Sequence, residues 1–366
     1  EHTGEERFVR YINRWHLEKA DPKAEISPPK KPIVFWIERT VPYKYRQAIR
    51  DGISAWNDAY RKAGFDSAIE VRQQPDKTDW DPEDINYNTF RWITSGRGFA
   101  MGPSRVNPRT GQILDADIIF DADFVKHWRN EFETFTPDNI DALTGGHAKI
   151  YPHNLHQSHV ASCGCGQCGL FSGHAFQNAL GMTAVAATTS VEVSEKEREK
   201  LIQQGLKLVA MHEVGHTLGL RHNFKGSAIA SLRQINSAKP RDRRSATTSV
   251  MDYVPVNIVP KGEFQGPYYP SQLGDYDYWA INYGYRPVSG NSPEAERVAL
   301  RKIASRSGES VLAFATDEDT MPGDPDPLSN RFDLGNDPIA FAQQRSKVVQ
   351  ELIPQLIERF TGDDAG

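Results

Sequence analysis

Hydrophobic and polar positions alternate in several short stretches of the N-terminal half, a pattern typical of β-strands. The clearest stretch, residues 31–39, is KPIVFWIER and is rich in β-branched and aromatic residues. The same criteria predict further strands at residues 68–72, 89–94, 99–106 and 113–120. Between the first two strands, apolar residues at steps of three and four predict an amphipathic helix over residues 45–63, with Gly64 as its stop. The order indicates a mixed, twisted sheet backed by a helix, an α/β (α+β) fold.

The second half of the chain has a helical pattern. Ser194 and Glu197 fit a capping box, and the apolar residues that follow predict a helix running to about Leu218. Two further helices are predicted over residues 273–283 and 338–360. Pro354 should kink or divide the last one, because proline lacks the backbone donor that a helix interior requires.

Composition narrows the class of protein. The 366 residues are 38% hydrophobic and 25% charged, which is enough for a folded core and excludes a disordered chain. The formal net charge of −5 provides no global basic field, so we expect no nucleic-acid partner. No uncharged stretch is apolar enough to predict a transmembrane segment.

The candidate chemistry lies at the end of the helix that is predicted to reach Leu218. His212 and His216 are four residues apart, so they share one helix face and can both reach a zinc ion at about 2.0–2.1 Å. Glu213 stands beside the first histidine and can point at a metal-bound water without binding the metal. Gly219 allows the chain to turn, and His222 can then supply the third ligand. Three neutral histidines leave one coordination position open, as in a catalytic zinc site.

The full pattern H-E-x-x-H-x-x-G-x-x-H resembles the signature of the metzincin clan of zinc metallopeptidases. The clan also has a Met-turn beneath the metal, and Met251 in the segment SVMDY matches it. The resemblance implies that Met251 forms an apolar floor under the histidines. Tyr253 occupies the position of the tyrosine that is a switchable zinc ligand and oxyanion donor in astacins and serralysins; a tyrosine that merely packs in the wall is the alternative.

More narrowly, the chain resembles bacterial proteins with a Met-zincin catalytic domain. Besides the zinc motif and residues 249–253, the similar segments are residues 10–15, 32–38, 52–57, 108–114 and 333–338. The resemblance implies an exported protein, periplasmic, cell-surface or secreted, and a catalytic part of a longer multidomain precursor. It also implies a metzincin-like division into an N-terminal extension (1–30), an upper subdomain (31–219) and a lower, irregular and helical subdomain (220–366).

The implied activity is that of a zinc metalloendopeptidase acting on protein or peptide. A metal-activated water would attack the peptide bond, with Glu213 as general base and then general acid. Substrate would pair with the strand at residues 99–106, and residues 254–269 would wall part of the specificity pocket. The alternative is an inactive zinc-containing module that binds peptide or serves at a surface. The general base Glu213 argues against lost turnover, and the open zinc position argues against a purely structural ion.

Two weaker groups of residues also suggest metals. Cys163, Cys165 and Cys168, with His159 nearby, could form a second, structural zinc site, a local disulfide with one free thiol, or three free thiols. A loop rich in hard oxygen donors suggests calcium. Its residues are Asp317, Glu318, Asp319, Asp324, Asp326, Asn330, Asp333 and Asp337.

Overall fold

The computed structural model describes residues 12–95, 100–122, 125, 177, 180–181, 183–185, 191–290, 292–320 and 326–361. Within these residues the fold is a mixed α/β arrangement, which confirms the predicted fold class. The strands are β1 (Ile33–Ile37), β2 (Ile69–Gln73), β3 (Asn88–Ile93), β4 (Ala100–Met101), β5 (Ser104–Val106), β6 (Ile113–Ala116) and β7 (Ile118–Asp121). The helices are α1 (Tyr43–Ser54), α2 (Trp56–Ala63), α3 (Val191–Thr217), α4 (Leu232–Ile235), α5 (Asp275–Tyr285), α6 (Pro293–Ala304) and α7 (Pro338–Thr361).

Five strands of the described chain form one sheet in the order β2-β1-β3-β7-β4. The first four are parallel, and β4 runs antiparallel to β7 at the edge. In β1 the side chains of Ile33, Phe35 and Ile37 are buried and alternate with less buried neighbours, so one face of the strand points into the core. Helix α1 covers that core with its apolar face, as the sequence pattern predicts.

Two of the strand predictions need correction. The sequence pattern predicts one strand over residues 99–106 and one over residues 113–120, but each stretch contributes to two sheets, because β5 and β6 pair separately from the main sheet. The first stretch is interrupted at Gly102 and Pro103, and proline cannot donate to a ladder. The second is interrupted at Asp117, whose carboxylate accepts hydrogen bonds from the backbone and hydroxyl of Thr89 (2.9 and 2.7 Å).

The predicted helix over residues 45–63 is divided into α1 and α2 by a turn at Ala55. Gly64 ends α2 in the left-handed conformation (φ 104°), as predicted. Directly after the turn, the indole of Trp56 donates to the backbone carbonyl of Met211 in α3 (2.9 Å). Gly52 lets α1 approach α3 closely, because a Cβ at this position would lie 2.6 Å from that of Ala210. These contacts fix α3 against the backing helix.

Helix α3 extends from Val191, so Ser194 lies inside it and the predicted capping box is wrong. At the other end, the amide of Leu220 donates to the carbonyl of Gly215 (3.0 Å), and that of Gly219 donates to His216 (2.9 Å). This is the hydrogen-bond pattern of a Schellman cap, and Gly219 has the left-handed φ of 93° that it requires. The predicted stop at Gly219 is thus confirmed.

The C-terminal part of the described chain is helical and irregular. Helix α7 runs through Pro354, so the prediction that this proline divides the helix is wrong. Val348 and Leu352, on the preceding turns, pack in the core. One hydrophobic cluster includes residues on both sides of Gly219, from Ile33 to Leu352. The division into 1–30, 31–219 and 220–366 stays a prediction. Among the described residues, no helix combines the length and the apolar character needed to span a bilayer.

Candidate active site

Three imidazoles converge at the C-terminal end of α3. His212 and His216 lie one turn apart on the same face, with ring centroids 4.7 Å apart. The turn at Gly219 returns the chain, so that His222 reaches the same point. The Nε2 atom of His216 is 3.1 Å from that of His212 and 3.2 Å from that of His222. In the described part of the chain, this is the one group of three or more His, Cys, Asp or Glu side chains that could hold a metal ion.

Each of these rings is oriented by a hydrogen bond from its other nitrogen. The Nδ1 of His212 donates to the carbonyl oxygen of Val250 (2.7 Å), and that of His216 donates to the carbonyl of Leu220 (3.0 Å). The Nδ1 of His222 contacts a carboxylate oxygen of Asp317 (2.8 Å). Because these acceptors cannot donate, a proton lies on each Nδ1, and in the neutral ring the lone pair is then on Nε2.

Three lone pairs that face one point can hold a cation between them. Tetrahedral zinc with ligands at about 2.0–2.1 Å places its nitrogen ligands roughly 3.3 Å apart, close to the Nε2 separations found here. Burial and the neighbouring His222 lower the pKa of His216 to about 3, so this ring is neutral, as a metal ligand must be. The donor set and its spacing therefore fit zinc.

Met251 packs against the turn of α3 that carries His212 and His216. Its side chain is fully buried and packs so closely against Gly215, in the turn of α3 between the two ligands, that a Cβ on Gly215 would overlap the Met251 sulfur. The segment before Met251 is held by Asp277 of α5, which accepts from the hydroxyl of Ser249 (2.7 Å) and the amide of Val250 (2.9 Å). The carbonyl that orients His212 is therefore fixed by a helix from the later part of the chain.

Glu213 is 2% exposed and lies on α3 directly after the first histidine. The backbone N–H of Gly102, between β4 and β5, donates to its carboxylate. Burial raises the pKa of Glu213 to about 8, and the Gly102 hydrogen bond opposes this shift. A bound dication would lower this pKa, because a nearby positive charge favours the carboxylate. Glu213 is therefore a buried carboxyl group next to the first histidine.

Tyr253 also belongs to the cluster. Its side chain is 1% exposed, and its hydroxyl lies 2.9 Å from the Nε2 of His222. The ring lies against those of His222 and Phe224, with centroids 4.7 and 5.0 Å away, and its backbone oxygen accepts from Phe332 (2.8 Å). The hydroxyl group is thus held beside the metal position by packing on several sides.

Three residues have roles that the sequence pattern does not indicate. Asp317 was assigned to the acidic loop, but it orients His222 and also contacts Arg331 (3.1 Å). Burial alone would raise the pKa of Asp317, but the hydrogen bond from His222 and the charges of Arg331 and Arg221 lower it overall. No sequence motif marks Gly102 as a partner of Glu213 or Asp277 as a partner of the segment before Met251. A carboxylate is a common outer partner of a ligating histidine, but nothing in the sequence links positions 222 and 317.

The structure does not test the other predicted metal sites. Cys163, Cys165, Cys168 and His159 lie outside the described residues, as does Asp324. Of the acidic loop, Asp326 forms an ion pair with Lys225, and Glu318 forms one with Arg221 (2.6 Å). The calcium and second-zinc sites stay predictions.

The chain matches two family models, Met-zincin over residues 194–366 and Matrixin over residues 105–242. Both are metzincin-type zinc metalloprotease families. The resemblance to the metzincins is confirmed. All three histidines lie in residues 194–242, where the two matches overlap. The matches and the histidine triad together support a zinc metallopeptidase with a protein substrate. No curated protein and no solved structure matches the chain significantly.

Proposed function

We propose that this protein is a zinc-dependent endopeptidase that uses Glu213 as its general base and acid. The observation that carries the proposal is the convergence of the three Nε2 lone pairs of His212, His216 and His222 beside a buried carboxylate. Zinc bound there would supply a water with a lowered pKa and would polarise the scissile carbonyl. The remaining steps, proton transfer and stabilisation of the oxyanion, would be carried out by side chains of the protein.

Glu213 would take a proton from the attacking water and deliver it to the leaving amine. Its buried position supports this role, because a general base works best when its pKa lies near the operating pH. Tyr253 would donate from its hydroxyl to the oxyanion, since the group is held beside His222 at the edge of the metal position. Residues 249–253 would serve as the Met-turn, with Met251 as the apolar floor.

The substrate would bind as an extended strand along β4. This short strand lies at the edge of the described sheet, and its continuation at Gly102 contacts the carboxylate of Glu213. A peptide that pairs with β4 would therefore pass directly above the general base. Main-chain pairing of this kind suits an endopeptidase, because it requires neither terminus of the substrate.

The test is cleavage of a diverse peptide mixture by the zinc-loaded protein, with products identified by mass spectrometry. We expect internal bonds to be cut, cleavage to stop with a chelator, and zinc to restore it. The Glu213→Ala variant should bind zinc and remain folded without cutting. Intact peptides that nevertheless bind to the zinc-loaded parent would favour the inactive peptide-binding module instead.

Further parts of the proposal concern the wider protein. An exported location and a longer multidomain precursor are proposed on the resemblance to Met-zincin proteins. A second zinc at Cys163, Cys165 and Cys168 would raise the zinc content to about two per chain and return it to one in the triple serine variant. One zinc with a single reactive thiol in the denatured, unreduced parent would indicate a disulfide. One zinc per chain with three free thiols in the denatured parent would indicate neither a second zinc site nor a disulfide.

A further inference from the structure

Two buried carboxyl groups lie behind the segment that carries Met251. Asp252 is 2% exposed and Asp333 is 8% exposed. Both are held by Ser227, whose backbone N–H donates to Oδ2 of Asp252 (2.6 Å) and whose hydroxyl donates to Oδ1 of Asp333 (2.8 Å). The two acids therefore lie side by side, although they are 81 residues apart in the sequence. Their proximity is also visible in the pKa of Asp252, which burial and Asp333 raise.

Each carboxyl group has a buried oxygen that the Ser227 contacts do not reach. Oδ1 of Asp252 and Oδ2 of Asp333 are buried and have no hydrogen-bond partner. In the described part of the chain neither acid forms an ion pair, and the basic residues beside their segments are engaged elsewhere. Lys225 pairs with Asp326, and Arg331 pairs with Asp317. Two adjacent carboxylates cannot both stay charged in a buried position unless a cation or a shared proton compensates them.

We propose that a calcium ion binds between Asp252 and Asp333. The available donors are all hard oxygens, which suit Ca²⁺ rather than zinc, because zinc favours nitrogen and sulfur ligands. Ser227 contacts both acids, through its backbone N–H to Asp252 and its hydroxyl to Asp333, so its hydroxyl oxygen lies beside the pair. Ca²⁺ accepts irregular oxygen sites, whereas Mg²⁺ retains several waters and fits a buried position poorly.

The ion would join three separate segments beneath the histidine cluster. Ser227 follows the third histidine, Asp252 lies between Met251 and Tyr253, and Asp333 belongs to the C-terminal region. Two backbone hydrogen bonds already connect these segments, from Phe332 to Tyr253 (2.8 Å) and from Thr248 to Gly226 (3.0 Å). Calcium would complete this connection by neutralising the acids. The site would be structural and does not depend on whether the histidine cluster cleaves peptides.

The experiment measures calcium binding to the full chain after all metals are removed and one equivalent of zinc is restored. Equilibrium dialysis with Ca²⁺ should give saturable binding of one ion per chain, with a rise in Tm over the same concentrations. Asp333→Asn should lose both the binding and the rise. Asp326→Asn is the matched control: it removes one charge from the same loop, outside the pair, and should retain both.

Three results would overturn the proposal. The first is a parent protein with no saturable binding at millimolar Ca²⁺. The second is that Asp333→Asn binds calcium as the parent does while Asp326→Asn loses calcium binding. That result would assign calcium to the outer part of the loop. The third combines two measurements: without calcium, Asp333→Asn has a higher Tm than the parent at neutral pH, and the Tm of the parent does not respond to calcium. That pair of results would indicate that the two acids share a proton.

A second measurement covers the case in which Asp333→Asn does not fold. Tb³⁺ can replace Ca²⁺, and its luminescence is sensitised by nearby aromatic rings. Tb³⁺ bound to the parent should be displaced by Ca²⁺, and Tyr253→Phe, which removes the aromatic donor next to Asp252, should weaken the luminescence without removing the bound ion. Luminescence that is unaffected by both changes would place the ion elsewhere and reject the site.

Discussion

Replacing Asp317 by asparagine tests the arrangement of the zinc ligands most directly. The two oxygens of Asp317 accept from different donors, Nδ1 of His222 (2.8 Å) and the guanidinium of Arg331 (3.1 Å). Asparagine has the same shape but only one oxygen acceptor, so one of these donors would face an NH₂ group. We expect the ring of His222 to lose its fixed orientation while the fold stays intact.

The magnitude follows from the single hydrogen bond that is lost. A hydrogen bond to a charged group contributes about 1.5–3 kcal/mol, and changes to the outer partners of metal ligands typically cost about 10–100-fold in affinity. Asp317 is 26% exposed, so solvent screens part of the interaction. We therefore expect a loss of about 10–30-fold in zinc affinity, or about 1.4–2 kcal/mol.

The assay is competition for zinc against a chromophoric chelator, with circular dichroism to check the fold. Glu318→Gln is the matched control, because it removes the neighbouring charge, which pairs with Arg221 and does not contact His222. The control should bind zinc within about twofold of the parent, the ordinary scatter for a surface ion pair. Equal affinities in the parent and Asp317→Asn would refute the argument that this carboxylate positions the ligand.

The remaining predictions concern the general base, the oxyanion donor and the helix stop. Glu213→Ala should lower turnover by at least about 100-fold and leave the zinc content, measured by metal analysis, unchanged; near-normal turnover would reject the assignment. Tyr253→Phe should lower kcat by roughly tenfold to a thousandfold with little change in KM, and an unchanged kcat would leave this tyrosine as packing. Gly219→Ala should lower the free energy of unfolding by about 2–4 kcal/mol in urea titrations, because a left-handed alanine costs about 1 kcal/mol and its Cβ would overlap the carbonyl of Asn13. Gly262 has a similar φ of 88° but open space around it, so Gly262→Ala should lose only the roughly 1 kcal/mol of the left-handed conformation. Equal losses of unfolding free energy in the two variants would contradict the overlap with Asn13.

The sequence predicts the parts of the site that depend on local geometry. His212 and His216 follow from helix periodicity, and the return of His222 follows from the left-handed conformation that Gly219 permits. The partners that orient these rings could not be predicted in the same way. Val250 and Asp317 are 38 and 95 residues from the histidines they contact, and no local period relates such positions.

The fold shows the same division between local and long-range information. Alternation identified the strand regions, but not that residues 99–106 and 113–120 each contribute to two sheets. That division depends on Asp117, which accepts from Thr89 28 residues away, and on the approach of Gly102 to Glu213. Inside α3, Ser194 matched a cap because a capping box is a short motif, whereas tertiary packing determines where a long helix begins.

The long separation between His222 and Asp317 has a consequence for how the protein acquires its metal during synthesis. A nascent chain that has just exposed residue 222 already contains the three histidines, but it lacks the carbonyl of Val250 and the carboxylate of Asp317. Only after about ninety-five more residues have emerged can the last ring be fixed. We therefore expect a ribosome-bound chain or a fragment ending before residue 317 to hold zinc loosely, so that tight loading would follow the emergence of Asp317.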